Sequence, residues 1–530
     1  MTETTGMTRS GRAGRRAWGG LALLALPTML LGLDVTALYL VVPNLAEDLE
    51  PSATETLWIM DAYGFFIAGF LITMGTLGDR IGRRRLLMVG TAAFGAVSVL
   101  AAFAPSAGWL IVARALLGVA GATLMPSTLS LIGDLFADAR QRALAIGVWA
   151  TMFALGMAAG PVVGGVLVGE LWWGAVFLVA VPVAVAVLAA APALLPESRT
   201  RAGRLDPPSV ALSLAGMLPI VYAIKHAADG IDAVAVAAAL LGAAATAVFV
   251  RRQLRLPEPL LDVRLFASRT FSAALAVLLV GLVGFGGTMY LVTQYLQLVD
   301  GLSAATAGLW MGPPALAMLA GAIGAPLLAR RLPPGVLMSA SLGLSLAGYV
   351  LLGTAGTGAR TSVVAGFAFV YFGLGVIAAL GTDIVVGAAP AGKAGSAAAL
   401  SETVQELGIA AGVALLGSLT TTIYRTTLGT PPGMEPSAAE SYGDGLSGAV
   451  AVADRLPDGA LDQARAAFTG GLNVSAAVAG TAVAAAALVC LLHLRGPRAL
   501  AGAPDPADPA DPAGPAAADG ADSLTSHGRG

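Results

Sequence analysis

The chain has 530 residues, 57% of them hydrophobic and 12% charged, where a soluble domain carries about 25% charged residues. With a mean hydropathy of +0.80 it holds more apolar side chain than a globular core can bury, which excludes a soluble protein and leaves an integral membrane protein. A formal net charge of −2 argues against a nucleic-acid partner, and one cysteine (Cys490) with three scattered histidines (His226, His493, His527) offers neither an intrachain disulfide nor a zinc site.

Residues 1–16 carry Arg9, Arg12, Arg15 and Arg16 and are expected as a basic cytoplasmic N-terminus. The apolar run of about 17–42 is too long for the core of a secretory signal, so it reads as a retained first helix. It contains Asp34, with Thr36 two residues on as one way of satisfying the carboxylate. The second span, 55–78, sets Asp61 among Trp58, Tyr63, Phe65 and Phe66. A carboxylate with aromatic neighbours suits a lipophilic cation, while Trp58 also suits an aromatic belt at the outer interface. The connection GTLGDRIGRRRLL, 75–87, places Gly75, Asp79, Arg80, Gly82 and Arg83 in fixed order. An aspartate at a helix end can pair with arginines or with the positive end of a neighbouring helix, making a latch; a plain inner-leaflet anchor is the simpler reading.

Spans are expected next at 86–105 and 108–133. Arg114 lies inside the second of these. An unpaired guanidinium at the bilayer centre costs roughly 2.5–3.5 kcal/mol, so Arg114 should face the interior and find a carboxylate, unless it snorkels to the outer end. The fifth span, 143–168, contains Gly147, Gly156, Gly160, Pro161, Gly164 and Gly165. Small residues let another helix approach closely, and the proline kinks the span.

A span at 173–195 closes a first bundle, 17–195. Spans at 209–226 and 233–250 fall within a linker, 196–271, and those at 272–297, 304–328, 336–356, 362–388, 396–420 and 472–494 form a second bundle, 272–495. Asp383 lies about one turn from the inner end of its span. Glu402 and Glu406, four residues apart, share one helix face, with Glu406 the deeper. Gln294, Tyr290, Trp310 and Met289 suit either cavity lining or packing. Residues 421–471 read as a long outer loop, and 496–530, with its DPADPADPAGP repeat, as a disordered cytoplasmic tail. Arginine or lysine follows every even-numbered span, while the connections after spans 1, 3, 5 and 9 have none; the positive-inside rule then puts both termini in the cytoplasm.

These stretches carry a resemblance. The 75–87 segment resembles the loop motif G-x-x-x-D-R-x-G-R-[RK] of the major facilitator superfamily. Arg114 and Gly118 resemble its R-x-x-Q-G motif, with Leu117 in place of the glutamine. Residues 147–165 match G-x8-G-x3-G-P-x2-G-G, the antiporter motif of the superfamily's proton-driven drug exporters. Over about 17–495 the chain resembles the fourteen-spanner drug:proton antiporter branch, and within it the quaternary-ammonium multidrug pumps.

The resemblance implies an all-α integral membrane fold with 14 transmembrane helices, two six-helix bundles plus an inserted pair. It implies a monomer in the bacterial cell membrane that exports lipophilic, cationic drugs by alternating access, with protons as coupling ion and no cofactor or metal. Spans 1 and 4 are neighbours in this fold. Burial favours a neutral acid and an adjacent arginine favours the carboxylate, so a group held between them can exchange protons near neutral pH. Asp34 with Arg114 is therefore the expected proton-coupling pair. Asp61, Glu406, Trp58, Tyr63, Glu402 and Asp383 are the expected substrate contacts, and 75–83 the conformational gate. No P-loop supports ATP drive, and no Ser/His/Asp set supports an enzyme. Two other readings stand: a dedicated exporter of one endogenous antibiotic, siderophore or amino acid, and a lipid flippase or non-transporting sensor.

Overall fold

A computed structural model describes the chain apart from residues 1–12, 137, 200–205, 227–231, 257–258, 260, 262, 330, 389–393, 430–433 and 495–530. The expected tail 496–530 and most of the basic N-terminus lie outside the described residues. Backbone groups in hydrocarbon must be satisfied within their own segment, and the long elements are accordingly helices. In the first half these are α1 (Arg15–Ala37), α2 (Ala53–Ile81), α3 (Arg83–Ala102), α4 (Ala107–Leu135), α5 (Ala139–Glu170) and α6 (Ala175–Leu194). The linker holds α7 (Pro207–His226) and α8 (Ala233–Arg255). The second half holds α9 (Arg269–Gln294), α10 (Ala304–Leu328), α11 (Pro334–Gly353), α12 (Arg360–Gly387), α13 (Ala394–Thr427) and α14 (Ala460–His493). Among the described residues, 13 helices are long and apolar enough to cross a membrane, and α2, 29 residues long, occupies the place of the expected second span.

Local chemistry sets the helix ends. Ser52 and Glu55 form a reciprocal capping box at the start of α2, Asp138 caps α5 through the Gln141 amide, and Asp232 caps α8 through Ala235. Gly82, at φ +112, ends α2 in a conformation that a side chain resists. Helix α10 breaks between Trp310 and Gly312, just ahead of Pro313 and Pro314, which cannot donate to the ladder.

Helices α1 to α6 pack on one another, as do α9 to α14. The halves meet along two seams, α2 against α13 and α5 against α10. A Cβ on Gly64 of α2 would stand 2.9 Å from the Ala410 methyl of α13. At the second seam, a Cβ on Gly165 would run into the Ala304 carbonyl. Helix α7 lies over the first seam: Phe65, Val221, Ala410 and Ala414 form a small core of their own there. Helix α8 packs mainly on α7 and is largely exposed, as a lipid-facing helix is.

Residues 421–471, expected as a loop, are largely helical, and α14 begins at Ala460 rather than near 472. Helix α13 runs on to Thr427, and short helices follow at Pro436–Asp444 and Leu446–Ala451. Two buried tyrosines explain the order: the Tyr424 hydroxyl donates to the Tyr442 carbonyl (2.8 Å), and the Tyr442 hydroxyl donates to the Ala460 carbonyl (3.1 Å). The Asp444 carboxylate accepts from the Ala53 amide at the start of α2 (3.1 Å) and pairs with Arg425 of α13 (2.7 Å). This segment therefore caps one side of the molecule, touching both halves.

Candidate functional site

Asp34 lies near the end of α1, just ahead of the 3₁₀ turn Leu38–Leu40. Thr36 does not satisfy it: the Thr36 hydroxyl donates to the Met157 carbonyl of α5 at 2.9 Å. The partner is Arg114 of α4, whose Nη1 stands 2.8 Å from Asp34 Oδ2, with the two side chains 2% and 9% exposed. Arg114 Nε also donates to the Ile59 carbonyl (3.1 Å), and its guanidinium lies 4.7 Å from the centre of the Tyr63 ring. The arginine is therefore held by a carboxylate, a carbonyl and a ring from two other helices. It does not snorkel.

The glycine run of α5 is what lets α1 come close enough. Cβ atoms on Gly156 and Gly160 would strike the Met29 carbonyl and the Thr36 hydroxyl, and one on Gly164 would stand 2.6 Å from the Ala37 carbonyl. Gly32 on α1 returns the contact to Phe153. Gly165 faces the other half, against Ala304 and Gly308. Gly147 has nothing within 4 Å and takes no part in this approach.

Across the seam from Asp34 stands Glu406 of α13, 3% exposed, within electrostatic reach of Glu402, Asp34 and Arg114. Asp61 of α2 is 1% exposed and within reach of Tyr39 and Tyr290. Tyr39, buried just past α1, also feels Tyr371, Arg114 and Glu406. One electrostatic neighbourhood thus joins α1, α2 and α4 of the first half to α9, α12 and α13 of the second. Burying three carboxylates and one guanidinium together is expensive, and structures that do so use them. Sequence reasoning missed Tyr39 and Tyr371; nothing along the chain distinguishes them from interfacial tyrosines.

Other expected site residues lie elsewhere. Trp58 lines an apolar groove of about 370 Å³ with Phe66, Ile111, Ala115 and Leu218, on the outer face of α2, α4 and α7. Glu402 is half-buried, and Asp383 is exposed at the end of α12 away from the cap. No group of three or more His, Cys, Asp or Glu suited to a metal ion occurs among the described residues.

The 75–83 segment ends α2 on that uncapped side. The Asp79 side chain lies outside the described residues, and Arg80 is exposed. Arg83 pairs with Asp134 at the end of α4 (3.4 Å), which also accepts from the Ser198 hydroxyl (2.5 Å). Arg84 and Arg85 lie 3.6 and 3.7 Å from Glu197, beyond α6. Gly75 packs on Pro126. These contacts tie α2, α3, α4 and α6 together within the first half.

Comparison with known proteins agrees with this architecture. The chain is 44% identical over 491 residues to the multidrug efflux pump LfrA of Mycolicibacterium smegmatis, covering 91% of this chain and 97% of the relative. It is 33% identical to the methyl viologen resistance protein SmvA of Salmonella typhimurium, covering 88% and 96% of the two chains. It is 31% identical to the tetracenomycin C resistance and export protein of Streptomyces glaucescens, covering 92% and 94%. The crystal structure of a bacterial homologue of the human lysosomal transporter Spinster, inward-facing and unoccupied, has the same fold: TM-score 0.63 at 18% identity, covering 91% of this chain and 98% of that one. Residues 24–413 match the Major Facilitator Superfamily, and the chain is a multi-pass membrane protein belonging to that superfamily of transporters.

Proposed function

We propose that the protein is a proton-driven exporter of lipophilic cations that works by alternating access. Its 14 spans form two six-helix halves and an inserted pair, with both termini in the cytoplasm. The cap then lies outside and the exposed Asp383 inside. The observation that carries the reading is the buried Asp34–Arg114 pair, set against Glu406 and Asp61 where the halves meet. A cation entering from the inner side finds carboxylates that can share its charge, and a proton arriving from outside competes for the same carboxylates. Proton binding and substrate capture therefore oppose one another at these carboxylates. The names of the multidrug and methyl viologen relatives support this substrate class. A second reading, a dedicated exporter of one endogenous antibiotic, is favoured by the tetracenomycin relative.

The test is ethidium efflux from energised cells of a pump-deficient host, comparing wild type with Asp34→Asn, each with and without a protonophore. The reading expects wild-type efflux to collapse with the protonophore and the expressed Asn variant to be inactive. Normal pumping by the Asn variant would move coupling to Asp61 or Glu406. A wild type that moves no ethidium would favour the single-substrate exporter.

A further inference from the structure

A neutral polar side chain stands at the edge of this charged site. Gln294 ends α9 and is 3% exposed, yet neither its amide nitrogen nor its oxygen has a hydrogen-bond partner. A carboxamide offers two donors and an acceptor, and buried groups of this kind are almost always paired. The other polar side chains at this helix end are paired. The Thr293 hydroxyl donates to the Met289 and Tyr290 carbonyls, the Tyr295 hydroxyl to the Gly356 carbonyl (2.6 Å), and the Gln297 amide to the Thr293 carbonyl (3.4 Å). Gln294 is the exception among them.

Its position adds a second observation. The chain passes directly from Gln294 into a π-helical turn, Tyr295–Val299. Such turns are rare and concentrate at functional sites. One turn back on the same face stands Tyr290, which is within reach of Asp61 and whose ring lies beside Gly417 of α13. The unmet amide thus continues the wall formed by α9 and α13 opposite Asp61.

We propose that Gln294 is a substrate-contact residue that hydrogen-bonds a neutral polar group on the transported cation. This rests on the export reading above and deepens it. The site selects cations bearing amino, hydroxyl or carbonyl groups over cations whose charge is wrapped only in alkyl or aryl carbon. A cation lacking such a group gains no hydrogen bond from the amide and is carried without it.

Two probes separate the cases. Ethidium carries two ring amino groups, and tetraphenylphosphonium has no hydrogen-bonding group. Transport of each is measured in energised membrane vesicles for wild type, Gln294→Met, which keeps the volume without the amide, and Gln294→Asn, which keeps a shortened amide. The expected result is a KM for ethidium raised about tenfold in the Met variant, the loss of one neutral hydrogen bond, with tetraphenylphosphonium transport unchanged. The Asn variant should fall between them, and unchanged tetraphenylphosphonium transport certifies the fold. Equal losses for both cations, in Met or in Asn, would make Gln294 a packing residue and overturn the assignment. Unchanged kinetics for both would mean the amide is satisfied by water, which also overturns it. A wild type that moves neither cation overturns the export reading itself and this assignment with it, a result distinct from the other two.

Discussion

Asp34→Asn keeps the side chain's shape and removes the charge that Arg114 faces at 2.8 Å. Arg114, 2% exposed, cannot swing into water. It retains the Ile59 carbonyl and the Tyr63 ring, but the wild type has both already, so neither offsets the loss. Removing one partner of a buried pair costs about 3–5 kcal/mol, because the other charge is left uncompensated. The lower end applies here, since the Asn amide still offers Arg114 an oxygen. The double variant Asp34→Asn with Arg114→Met removes both charges. Exchange of a whole buried pair for neutral groups of similar volume is often neutral, so the double variant should recover most of the loss, less about 1 kcal/mol for the lost hydrogen bond to the Ile59 carbonyl. The assay is thermal unfolding of the purified single and double variants in one detergent, beside efflux in cells. Stability should return in the double variant and transport should not. Wild-type unfolding of Asp34→Asn, or a double variant less stable than the single one, would refute the closed pair as the resting state.

Within the glycine run of α5 the structure separates two positions. Gly160→Val drives a side chain into Thr36 and Ala37 and should cost about 1–3 kcal/mol with loss of efflux, whereas Gly147→Ala meets open space and should lose nothing; equal effects in a detergent melt would contradict the packing. At the cap, Asp444→Ala strips the Ala53 amide of its acceptor and removes one ion pair of Arg425, a loss of about 1 kcal/mol that should appear as faster proteolysis within 428–460. Before α7, the hydrogen bond from the Arg252 guanidinium, helped by Ser209, holds the Asp206 carboxyl below its ordinary value against a smaller effect of burial. A group depressed in this way adds stability above its unfolded value and loses it as pH falls through the folded one. The wild-type melting temperature should therefore fall more steeply than that of Asp206→Asn below about pH 4, and parallel acid limbs would count against the pair.

The elements were legible because length and hydropathy are strong signals at membrane depth, and Arg114 was legible because an arginine there demands a partner. The facing of uncharged residues was not. Helices such as α4 and α9 are apolar nearly all round, so a periodic reading has no polar face to orient it. Trp58 was read beside Asp61 from its spacing, but i and i+3 positions diverge enough that one faces a lipid-side groove while the other is buried. Residues 421–471 were misread as a loop because their helices are short and polar; Tyr424 and Tyr442, which order them, matter through backbone carbonyls that no composition reveals.

The two seams make a mechanical argument that no single residue carries. Leu57 against Gly417 and Gly64 against Ala410 close the first, while Gly165 against Ala304 and Gly308 closes the second. The Leu57 and Gly165 contacts lie toward the capped ends of their helices, and Gly64 with Ala410 nearer the middle. Apart from Leu57 and the Phe65 ring, these are contacts of small side chains and backbone, with little to desolvate when they part. The strong polar contacts lie within halves: Asp34 with Arg114, Arg83 with Asp134, Arg360 with Asp300. A molecule bonded by ion pairs within its halves and by glycine packing between them is rigid where rocking must preserve shape and weak where it must separate surfaces. The Asp444 bond to Ala53 is a polar tie across the first seam, so opening the capped side must break it or carry the cap along with α2. The same division explains why Asp34 can report on the other half without contact: Glu406 reaches it electrostatically across the seam, and that coupling weakens as the seam parts.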